Sequence, residues 1–256
     1  MNTVATGQGL LTGKVAVVTG AASGIGAGIA LAFAREGAHL AVVDLCGEAD
    51  AKLVLDELEA MGATAQFFRT DVGVAEAVSE LAGAVTSSLG PVDVLVNCAG
   101  VFTQALVENM TVDEWDFVMG VNLRGTFLCT RAFLGGMLER GDGRIINIAS
   151  QLGQIGGAEV AHYSASKAGV IGFTKALARE VSSRGVLVNA IAPGPINTPL
   201  LDSETEEWRT AKLAELPIGR FGEVNEVTPT AVLLASAGGS YYVGQTLGPN
   251  GGDVML

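Results

Sequence analysis

Tyr163 and Lys167 are the residue pair in this sequence with the clearest capacity for acid–base chemistry. They are four residues apart, so on a helix their side chains would lie on one face. A phenol has a pKa of about 10, and lowering it by ~3 units requires about 4 kcal/mol in favour of the phenolate. An ammonium group ~4 Å away supplies roughly that energy at an effective dielectric constant of ~20. The pair therefore predicts a proton donor and acceptor for an alcohol or carbonyl oxygen, although the same spacing is common on helices for structural reasons alone.

A glycine-rich turn predicts a site for phosphate groups. Residues 15–19 read as a buried strand, and Gly20, Gly24 and Gly26 follow it where a helix is predicted to begin. Glycine allows a sharp turn and a close approach of phosphate oxygens to backbone N–H groups, and the helix start adds partial positive charge. Glycines in such turns can also serve packing alone, so the motif by itself leaves both explanations open.

Acidic residues after the next two strands predict contacts to a dinucleotide. Asp44 ends the second predicted strand, where a carboxylate binds the adenosine ribose hydroxyls in dinucleotide-binding folds. The same charge would repel a 2′-phosphate, and Ser23 and Leu45 offer no adjacent cation to receive one, so NAD is predicted over NADP. Asp71, with Val72 beside it, is predicted to reach the adenine edge. Either aspartate could instead cap a helix or close a turn.

The elements that would position these residues alternate between strand and helix along almost the whole chain. Short apolar runs rich in β-branched residues indicate strands buried on both faces, as in a parallel sheet covered by helices. The predicted strands are residues 15–19, 39–44, 65–70, 92–96, 144–149, 186–192 and 245–247. The predicted helices are residues 24–35, 48–61, 74–89, 112–139, 164–183 and 223–235. The pattern predicts an α/β fold, a single doubly wound Rossmann-type domain over residues 1–256 with a mostly parallel sheet flanked by helices, and a ligand beyond the carboxyl ends of the strands.

The most polar stretch, residues 197–207, lies between a predicted strand and the next helix. It contains the acidic run from Asp202 to Glu207 and few apolar residues. A solvated loop is one interpretation. A mobile lid over the substrate, extending over residues 197–213, is the other, and its place after a strand end favours it.

The composition restricts the partners and the compartment. A net charge of −12, with 15 Lys and Arg that form no run, would repel nucleic acids and an anionic membrane surface. No apolar stretch approaches the ~20 residues that span a bilayer, and residues 1–13 do not read as a signal peptide. Three cysteines outside any C-x-x-C pair favour a reducing compartment, so we expect a cytoplasmic protein. Two histidines do not support a multi-histidine metal site, and no metal is predicted.

Several motifs in one order resemble the short-chain dehydrogenase/reductase family, in the subgroup whose length is close to that of this chain. They are the glycine turn, Asp44, Asn97-Cys98-Ala99-Gly100, Asn122, Ser150 and Tyr163-x-x-x-Lys167. The resemblance implies that Tyr163 exchanges a proton with the substrate oxygen, that Ser150 hydrogen-bonds that oxygen, and that Lys167 binds the nicotinamide ribose and lowers the pKa of the phenol. Asn122 would help to position Lys167 and a proton-relay water. Ser150 could instead cap the strand end, and Asn122 could serve packing.

The resemblance covers the chain from about Leu11 to the C-terminus, and it adds residues to the predicted cofactor site. Residues 193–198 match the family segment that borders the nicotinamide, with Ile196 and Thr198 near the carboxamide. Cys98 replaces a second asparagine that many relatives have there, and it is small enough to leave binding possible. The predicted cofactor-binding residues are Gly20, Ser23, Gly24, Ile25, Gly26, Asp44, Asp71, Val72, Asn97, Ala99, Gly100, Tyr163, Lys167, Pro193, Gly194, Ile196 and Thr198.

The implied function is hydride transfer between NAD and a small-molecule alcohol or carbonyl substrate. A sugar, polyol or small hydroxy-ketone is favoured, and the alternatives are a 3-oxoacyl thioester reductase and a non-catalytic dinucleotide-sensing protein. Relatives imply a homotetramer, with the helices near residues 112–138 and 164–183 at one interface. His162 is predicted to lie on the surface or the rim of the substrate cleft. Candidates for the cleft lining are Val101, Phe102, Gln151, Gln154 and Leu200.

Overall fold

Seven strands form one sheet in the computed structural model, which describes residues 9–255. The strands are β1 Val15–Thr19, β2 His39–Asp44, β3 Ala65–Arg69, β4 Val94–Asn97, β5 Gly143–Ile148, β6 Val186–Ile191 and β7 Thr246–Leu247. Their order is β3-β2-β1-β4-β5-β6-β7, and each neighbouring pair among them is parallel. The doubly wound α/β prediction is therefore confirmed for these residues, while positions 1–8 and 256 of the predicted domain lie outside the described residues.

Helices cover both faces of the sheet. They are α1 Gly24–Arg35, α2 Glu48–Ala60, α3 Ala75–Leu89, α4 Val112–Met119, α5 Gly125–Arg140, α6 Leu152–Ile155, α7 Ala161–Val181, α8 Glu206–Glu215 and α9 Val224–Ala235. Short 3-10 helices span Ser182–Arg184, Leu201–Ser203 and Ala237–Gly239. Within residues 9–255, no helix is both long enough and apolar enough to cross a membrane.

The strand β1 shows why the sheet is buried on both faces. Successive side chains on a strand point to opposite faces, and Ala16 and Val18 join the core under α1 and α9, while Val15 and Val17 join the core under α3, α5 and α7. Every residue of this strand is buried. A buried valine stabilises the fold by roughly 1.5–3 kcal/mol relative to an exposed one, so these apolar runs fix the centre of the domain.

The sequence-based expectation of one helix over residues 112–139 is wrong in one respect. A π-helical turn, Gly120–Arg124, separates α4 from α5. Such a turn occurs as a single-turn bulge inside a longer helix, so the sequence around it still reads as one helical segment. The turn places Asn122 fully inside the protein.

The polar segment over residues 197–213 is more ordered than a solvated loop. It contains the 3-10 helix Leu201–Ser203 and most of α8, which sequence reasoning missed. Thr205 caps α8, because its hydroxyl oxygen accepts a hydrogen bond from the Trp208 backbone N–H at 3.2 Å. Trp208 also stacks on Phe221, with ring centres 6.3 Å apart. These contacts hold α8 beside the carboxyl ends of the strands.

The sheet order places a crevice between β1 and β4. These strands are neighbours in space but are separated in the chain by β2 and β3. The connections that leave them run to opposite sides, and ligands bind at such a switch point in open α/β sheets. The ends of β1, β2, β4, β5 and β6 therefore define where the functional residues should meet.

Candidate active site

A cleft of about 850 Å³ opens at the carboxyl ends of the strands. It is lined by most of the predicted cofactor-binding residues, namely Gly20, Ser23, Gly24, Ile25, Gly26, Asp44, Asp71, Val72, Ala99, Gly100, Tyr163, Lys167, Pro193, Gly194, Ile196 and Thr198. Ser150 also lines it. The structure thus brings together side chains that are spread over most of the sequence.

The glycine turn between β1 and α1 serves packing and the cleft at the same time. A Cβ atom on Gly26 would lie 2.0 Å from the Gly20 carbonyl oxygen, so only glycine fits there. Both glycines nevertheless line the cleft, together with Ser23 and Ile25 at the start of α1. The Ser23 side chain does not cap α1, and no acidic residue lies in its first turn. The free N–H groups at the start of α1, on the open side of the turn, fit a pyrophosphate.

Asp44 combines a structural role with a position in the cleft. Its carboxylate accepts hydrogen bonds from the backbone N–H groups of Ala22 at 3.0 Å, Leu45 at 2.8 Å and Cys46 at 3.2 Å. These bonds hold the glycine turn against the end of β2. The negative charge at this place fits ribose hydroxyls, which can donate to it.

One cation lies closer to Asp44 than its sequence neighbours suggest. Arg69 is the partner of Asp44 in the β2–β3 register, and its Nε donates to the Leu45 carbonyl oxygen at 3.1 Å. The sequence showed no cation next to Asp44 in the chain. The pairing of β2 with β3 brings Arg69 beside it from the neighbouring strand. Arg69 does not line the cleft.

Asp71 closes a turn after β3, as one of its two interpretations predicted. Its carboxylate accepts from the Gly73 N–H at 2.8 Å. It also lines the cleft, so its turn role and a contact with the adenine half are compatible.

Asn97 does not line the cleft, in contrast to its predicted cofactor role. Its side-chain amide donates to Asn147 Oδ1 at 2.8 Å and to Thr130 Oγ1 at 3.0 Å. Asn147 in turn donates to Thr174 Oγ1 at 2.9 Å. These buried groups connect β4 and β5 to the helices beneath, because polar side chains in a core need partners. Asn97 therefore stabilises the strands and helices behind the cleft and does not itself face the cleft.

Ser150, Tyr163 and Lys167 meet at the end of β5, where all three line the cleft. Tyr163 is hydrogen-bonded to Ser150. The Lys167 Nζ donates to the Ile148 carbonyl oxygen at 2.8 Å and lies 5.7 Å from the centre of the Tyr163 ring. The helical spacing of four thus places the amine and the phenol on one face of α7, as predicted from the sequence.

The pKa of the phenol departs from the sequence-based expectation. Burial, which disfavours the phenolate, raises the pKa of Tyr163 to about 12, while the hydrogen bond with Ser150 acts in the lowering direction. Burial also lowers the pKa of Lys167 to about 8. The protein by itself therefore holds Tyr163 as a neutral proton donor, because loss of water outweighs the lowering effect of the Ser150 hydrogen bond.

Asn122 lies one layer behind Ser150, Tyr163 and Lys167. Its Oδ1 accepts from the Val101 N–H at 2.8 Å, and its Nδ2 donates to the Val101 carbonyl at 3.0 Å and to Ser166 Oγ at 3.2 Å. A Cβ on Gly100 would lie 3.3 Å from Asn122 Oδ1 and 3.5 Å from Lys167 Nζ. Asn122 thus fixes the segment after β4 close to the amine, which agrees with a positioning role. It does not itself line the cleft.

The substrate end of the cleft contains most of the predicted lining residues. Val101, Phe102, Gln151 and Leu200 line it, whereas Gln154 does not. The Phe102 ring packs edge-on against Tyr163, with centres 5.0 Å apart. This contact fixes the phenol from the side opposite its helix.

The prediction for His162 is wrong, because the residue is fully buried. Its Nε2 shares a hydrogen bond of 2.6 Å with Thr103 Oγ1, which ties the segment after β4 to α7. Burial lowers the pKa of His162. A residue one position before Tyr163 on the helix can still point inward when a neighbouring loop covers that face of the helix.

Four residues from three distant segments form a network that sequence reasoning missed. Gln151 Nε2 donates to the Asp253 carboxylate. Lys212 on α8 also donates to that carboxylate, at 2.9 Å and 2.7 Å, and to Glu215 at 3.1 Å. Lys212 and Glu215 line the cleft with Gln151. No local pattern signals contacts between positions so far apart in the chain.

No group of three or more His, Cys, Asp or Glu side chains within residues 9–255 is placed to hold a metal ion. The residues that line the cleft instead fit a dinucleotide. The glycine turn offers backbone donors, and Asp44 offers an acceptor at the end of β2.

The comparisons with known proteins agree with this geometry. The model of the short chain dehydrogenase family matches residues 14–209. The chain is 42% identical over 246 residues to a 3-oxoacyl-(acyl-carrier-protein) reductase of Vibrio cholerae, a match that covers 96% of this chain and 99% of that protein. It is 40% identical over 245 residues to the reductase of the same name from Thermotoga maritima, with 96% and 99% covered.

Solved structures are similar over nearly the whole chain. A protein of Beutenbergia cavernae assigned as an NAD(P)-dependent gluconate 5-dehydrogenase, with NADP bound at low occupancy, superposes with a TM-score of 0.90 at 40% identity, covering 94% of this chain and 97% of that chain. A protein of Sinorhizobium meliloti assigned as a short-chain alcohol dehydrogenase gives a TM-score of 0.91 at 35% identity, with 95% and 97% covered. These matches confirm the predicted fold class.

Proposed function

Because the chain belongs to the short-chain dehydrogenase family, we propose that it is an NAD(H)-dependent oxidoreductase that interconverts a secondary alcohol and a ketone, with Tyr163 as its acid and base. One observation carries the proposal. Ser150, Tyr163 and Lys167 line the same cleft as the glycine turn and Asp44. A nicotinamide dinucleotide supplies the hydride acceptor or donor when bound, and the residues of this chain manage the proton.

In the direction of reduction, the neutral Tyr163 hydroxyl donates its proton to the carbonyl oxygen, and the Ser150 hydroxyl hydrogen-bonds the same oxygen. The raised pKa of Tyr163, about 12, suits this direction, because the donor is fully protonated near neutral pH. In the direction of oxidation, the phenolate of Tyr163 accepts the proton of the alcohol. The Tyr163 hydroxyl must therefore lose its own proton before that step. Lys167, with its pKa lowered to about 8, carries a positive charge at neutral pH and is placed to bind the ribose hydroxyls of the cofactor.

Asp44 supports NAD over NADP. Its carboxylate would repel a 2′-phosphate and accept hydrogen bonds from ribose hydroxyls. The NADP in the Beutenbergia cavernae structure belongs to that protein, and Arg69 stands near Leu45 in this chain. The test is the ratio of kcat/KM for NADH to that for NADPH with one substrate. A ratio well above one supports the proposal, and a ratio below one overturns it.

The relatives and the structure support two different substrate classes. The relatives from Vibrio cholerae and Thermotoga maritima are named 3-oxoacyl-(acyl-carrier-protein) reductases, which favours reduction of a 3-oxoacyl thioester, the alternative expectation from the sequence. The second class is a hydroxylated ketone or polyol. Asp44 in the cleft favours this class, because its charge supports NAD and hence oxidation of an alcohol. Steady-state rates with a 3-oxoacyl thioester, a hydroxy-ketone and a plain ketone separate the two.

We also propose that the protein is a homotetramer and that it is located in the cytoplasm. Two aromatic residues on the outer faces of α4 and α5, Phe117 and Phe127, are exposed. Phe127 packs against Phe173 of α7, with ring centres 6.3 Å apart. An apolar surface that joins these helices fits burial between subunits. Light scattering that gives a monomer at micromolar concentration would contradict this part of the proposal.

A further inference from the structure

Helix α8 lines the substrate end of the cleft but is weakly attached to the rest of the domain by apolar contacts. Trp208, Lys212 and Glu215 of this helix line the cleft, yet none of its 10 residues is buried. Trp208 stacks on Phe221 within a small apolar cluster whose members all come from residues 201–221, and this cluster is separate from the cores on the two faces of the sheet. Apolar packing alone therefore fixes the position of α8 relative to the catalytic residues only weakly.

A buried ion pair adds a stronger connection. The Lys212 Nζ on α8 lies 2.7 Å and 2.9 Å from the two carboxylate oxygens of Asp253. The two side chains are 16% and 8% exposed, which makes this the most buried ion pair within residues 9–255. Removing one partner of such a pair leaves an uncompensated charge away from water, whereas an exposed pair can be broken at little cost. Asp253 therefore holds α8 through a contact that water replaces poorly.

Asp253 is also bonded to the turn that carries the catalytic serine. Its carboxylate accepts a hydrogen bond from the side-chain amide of Gln151, the residue that follows Ser150. The chain that leads to Asp253 is fixed at the same edge of the sheet, because the Gly194 N–H donates to the Pro249 carbonyl oxygen at 3.1 Å. One carboxylate thus connects α8 to the turn after β5.

We propose that Asp253 is a positioning residue for substrate binding, because it fixes α8, through Lys212, as one wall of the substrate end of the cleft. Asp253 does not itself line the cleft, so it acts through Lys212 and not by touching the substrate. Within residues 9–255 its side chain bonds to Gln151 and Lys212 alone. Neither belongs to the glycine turn or to the end of β2, so the cofactor half of the cleft should not depend on it. The inference rests on the proposed alcohol–ketone function and names a residue that shapes its substrate site.

The first test measures substrate binding and cofactor binding separately. Asp253→Leu removes the carboxylate and leaves the Lys212 ammonium unpaired, so α8 should move away from the turn after β5. We expect KM for reduction of acetoacetyl-coenzyme A, a 3-oxoacyl thioester, to rise at least about tenfold with kcat changed less than about threefold, because α8 contributes substrate contacts and no proton. The dissociation constant of NADH, measured by fluorescence, should stay within about threefold of the wild-type value. Asp253→Asn keeps an acceptor for Gln151 and loses only the charge, so it should raise KM in the same way but by less.

A paired variant separates the effect of α8 from general damage to the fold. Lys212→Met combined with Asp253→Leu removes both charges, and apolar replacement of both members of a buried pair is often neutral. KM should then return to within about threefold of the wild-type value. Asp56→Asn is the matched control, since it breaks the exposed Lys52–Asp56 pair on α2, and it should change neither KM nor NADH binding. Circular dichroism checks that each variant is folded.

Hydrogen exchange of the backbone amides of α8 gives a readout that does not need catalysis. Exchange should be at least about tenfold faster in Asp253→Leu than in the wild type, and close to normal in the paired variant and in Asp56→Asn. Unchanged KM or unchanged α8 exchange in Asp253→Leu, an equal weakening of NADH binding, or a KM that stays high in the paired variant would each overturn the inference. Failure of the proposed function would look different: the wild type would bind NADH without reducing any ketone, while α8 exchange would still respond to Asp253→Leu.

Discussion

The Lys167 ammonium nitrogen lies 5.7 Å from the centre of the Tyr163 ring, on the same face of α7. The two groups titrate in opposite directions from their ordinary values. Burial raises the pKa of the phenol to about 12 and lowers that of the amine to about 8. Both shifts disfavour charge, and together they determine how the reaction should depend on pH.

Oxidation and reduction should respond to pH in opposite ways. Oxidation needs the phenolate, whose fraction rises about tenfold per pH unit below the pKa of Tyr163, so kcat/KM for alcohol oxidation should rise from pH 7 to 9. Reduction needs the neutral phenol, which is present throughout this range, and should decline only above pH 8 as Lys167 loses its proton. Full pH profiles in both directions check this.

The control for that profile is Lys167→Arg. A guanidinium group stays protonated over the whole range, so the decline in reduction above pH 8 should disappear in the variant, even if its rate is lower. A decline that persists unchanged would show that another group is responsible. An oxidation rate that is flat from pH 7 to 9 would contradict the assignment of a raised pKa to the base.

Cofactor choice should depend on the charge of Asp44. Replacing it in Asp44→Asn removes the repulsion of a 2′-phosphate while keeping an acceptor for the Ala22 N–H. We expect the ratio of kcat/KM for NADPH to that for NADH to rise at least about tenfold, because one like-charge contact near a surface is worth about 1–2 kcal/mol. Steady-state kinetics with both cofactors measures it.

Arg69 provides the matched second variant. Its Nε already lies at the Leu45 carbonyl, so in the Asp44→Asn background it is the cation that could receive the phosphate. Adding Arg69→Gln should remove most of the gained NADPH activity. If the ratio does not move in Asp44→Asn, the carboxylate does not select the cofactor.

Gly26 should be essential to the fold as well as to binding. Its Cβ in Gly26→Ala would lie 2.0 Å from the Gly20 carbonyl oxygen, and relieving such a contact requires backbone movement that costs about 1–3 kcal/mol or more. Gly83→Ala is the control, because Gly83 lies inside α3 with open space around it, and alanine is favoured there by about 0.5–1 kcal/mol. Urea unfolding should show a lower free energy of unfolding for Gly26→Ala and a higher one for Gly83→Ala. Equal changes in the two variants would contradict this account of the turn.

Local signals predicted the parts of the site that depend on short spacings. The bounds of α1 and β2 follow from an apolar pattern and its end signals, and the spacing of four places Tyr163 and Lys167 together. The sequence could also place Asp44 at a strand end, because strand ends in a parallel sheet converge at one edge.

Features that depend on packing between distant segments could not be predicted. The π-helical turn at Asn122 lies within a segment whose sequence reads as one continuous helix. The inward position of His162 depends on a contact with Thr103, which lies in another loop. The direction of the Tyr163 pKa follows from burial, which a sequence does not state. The contact of Gln151 with Asp253 joins residues separated by most of the second half of the chain.

The most direct test of the central claim is Tyr163→Phe, which removes the hydroxyl and keeps the ring that packs on Phe102. The measurements are kcat for ketone reduction and the dissociation constant of NADH by fluorescence. The account predicts that kcat falls about 10²–10⁴-fold, while NADH binding changes less than about threefold. Turnover close to that of the wild type, with NADH bound, would contradict the role of Tyr163 as the proton donor.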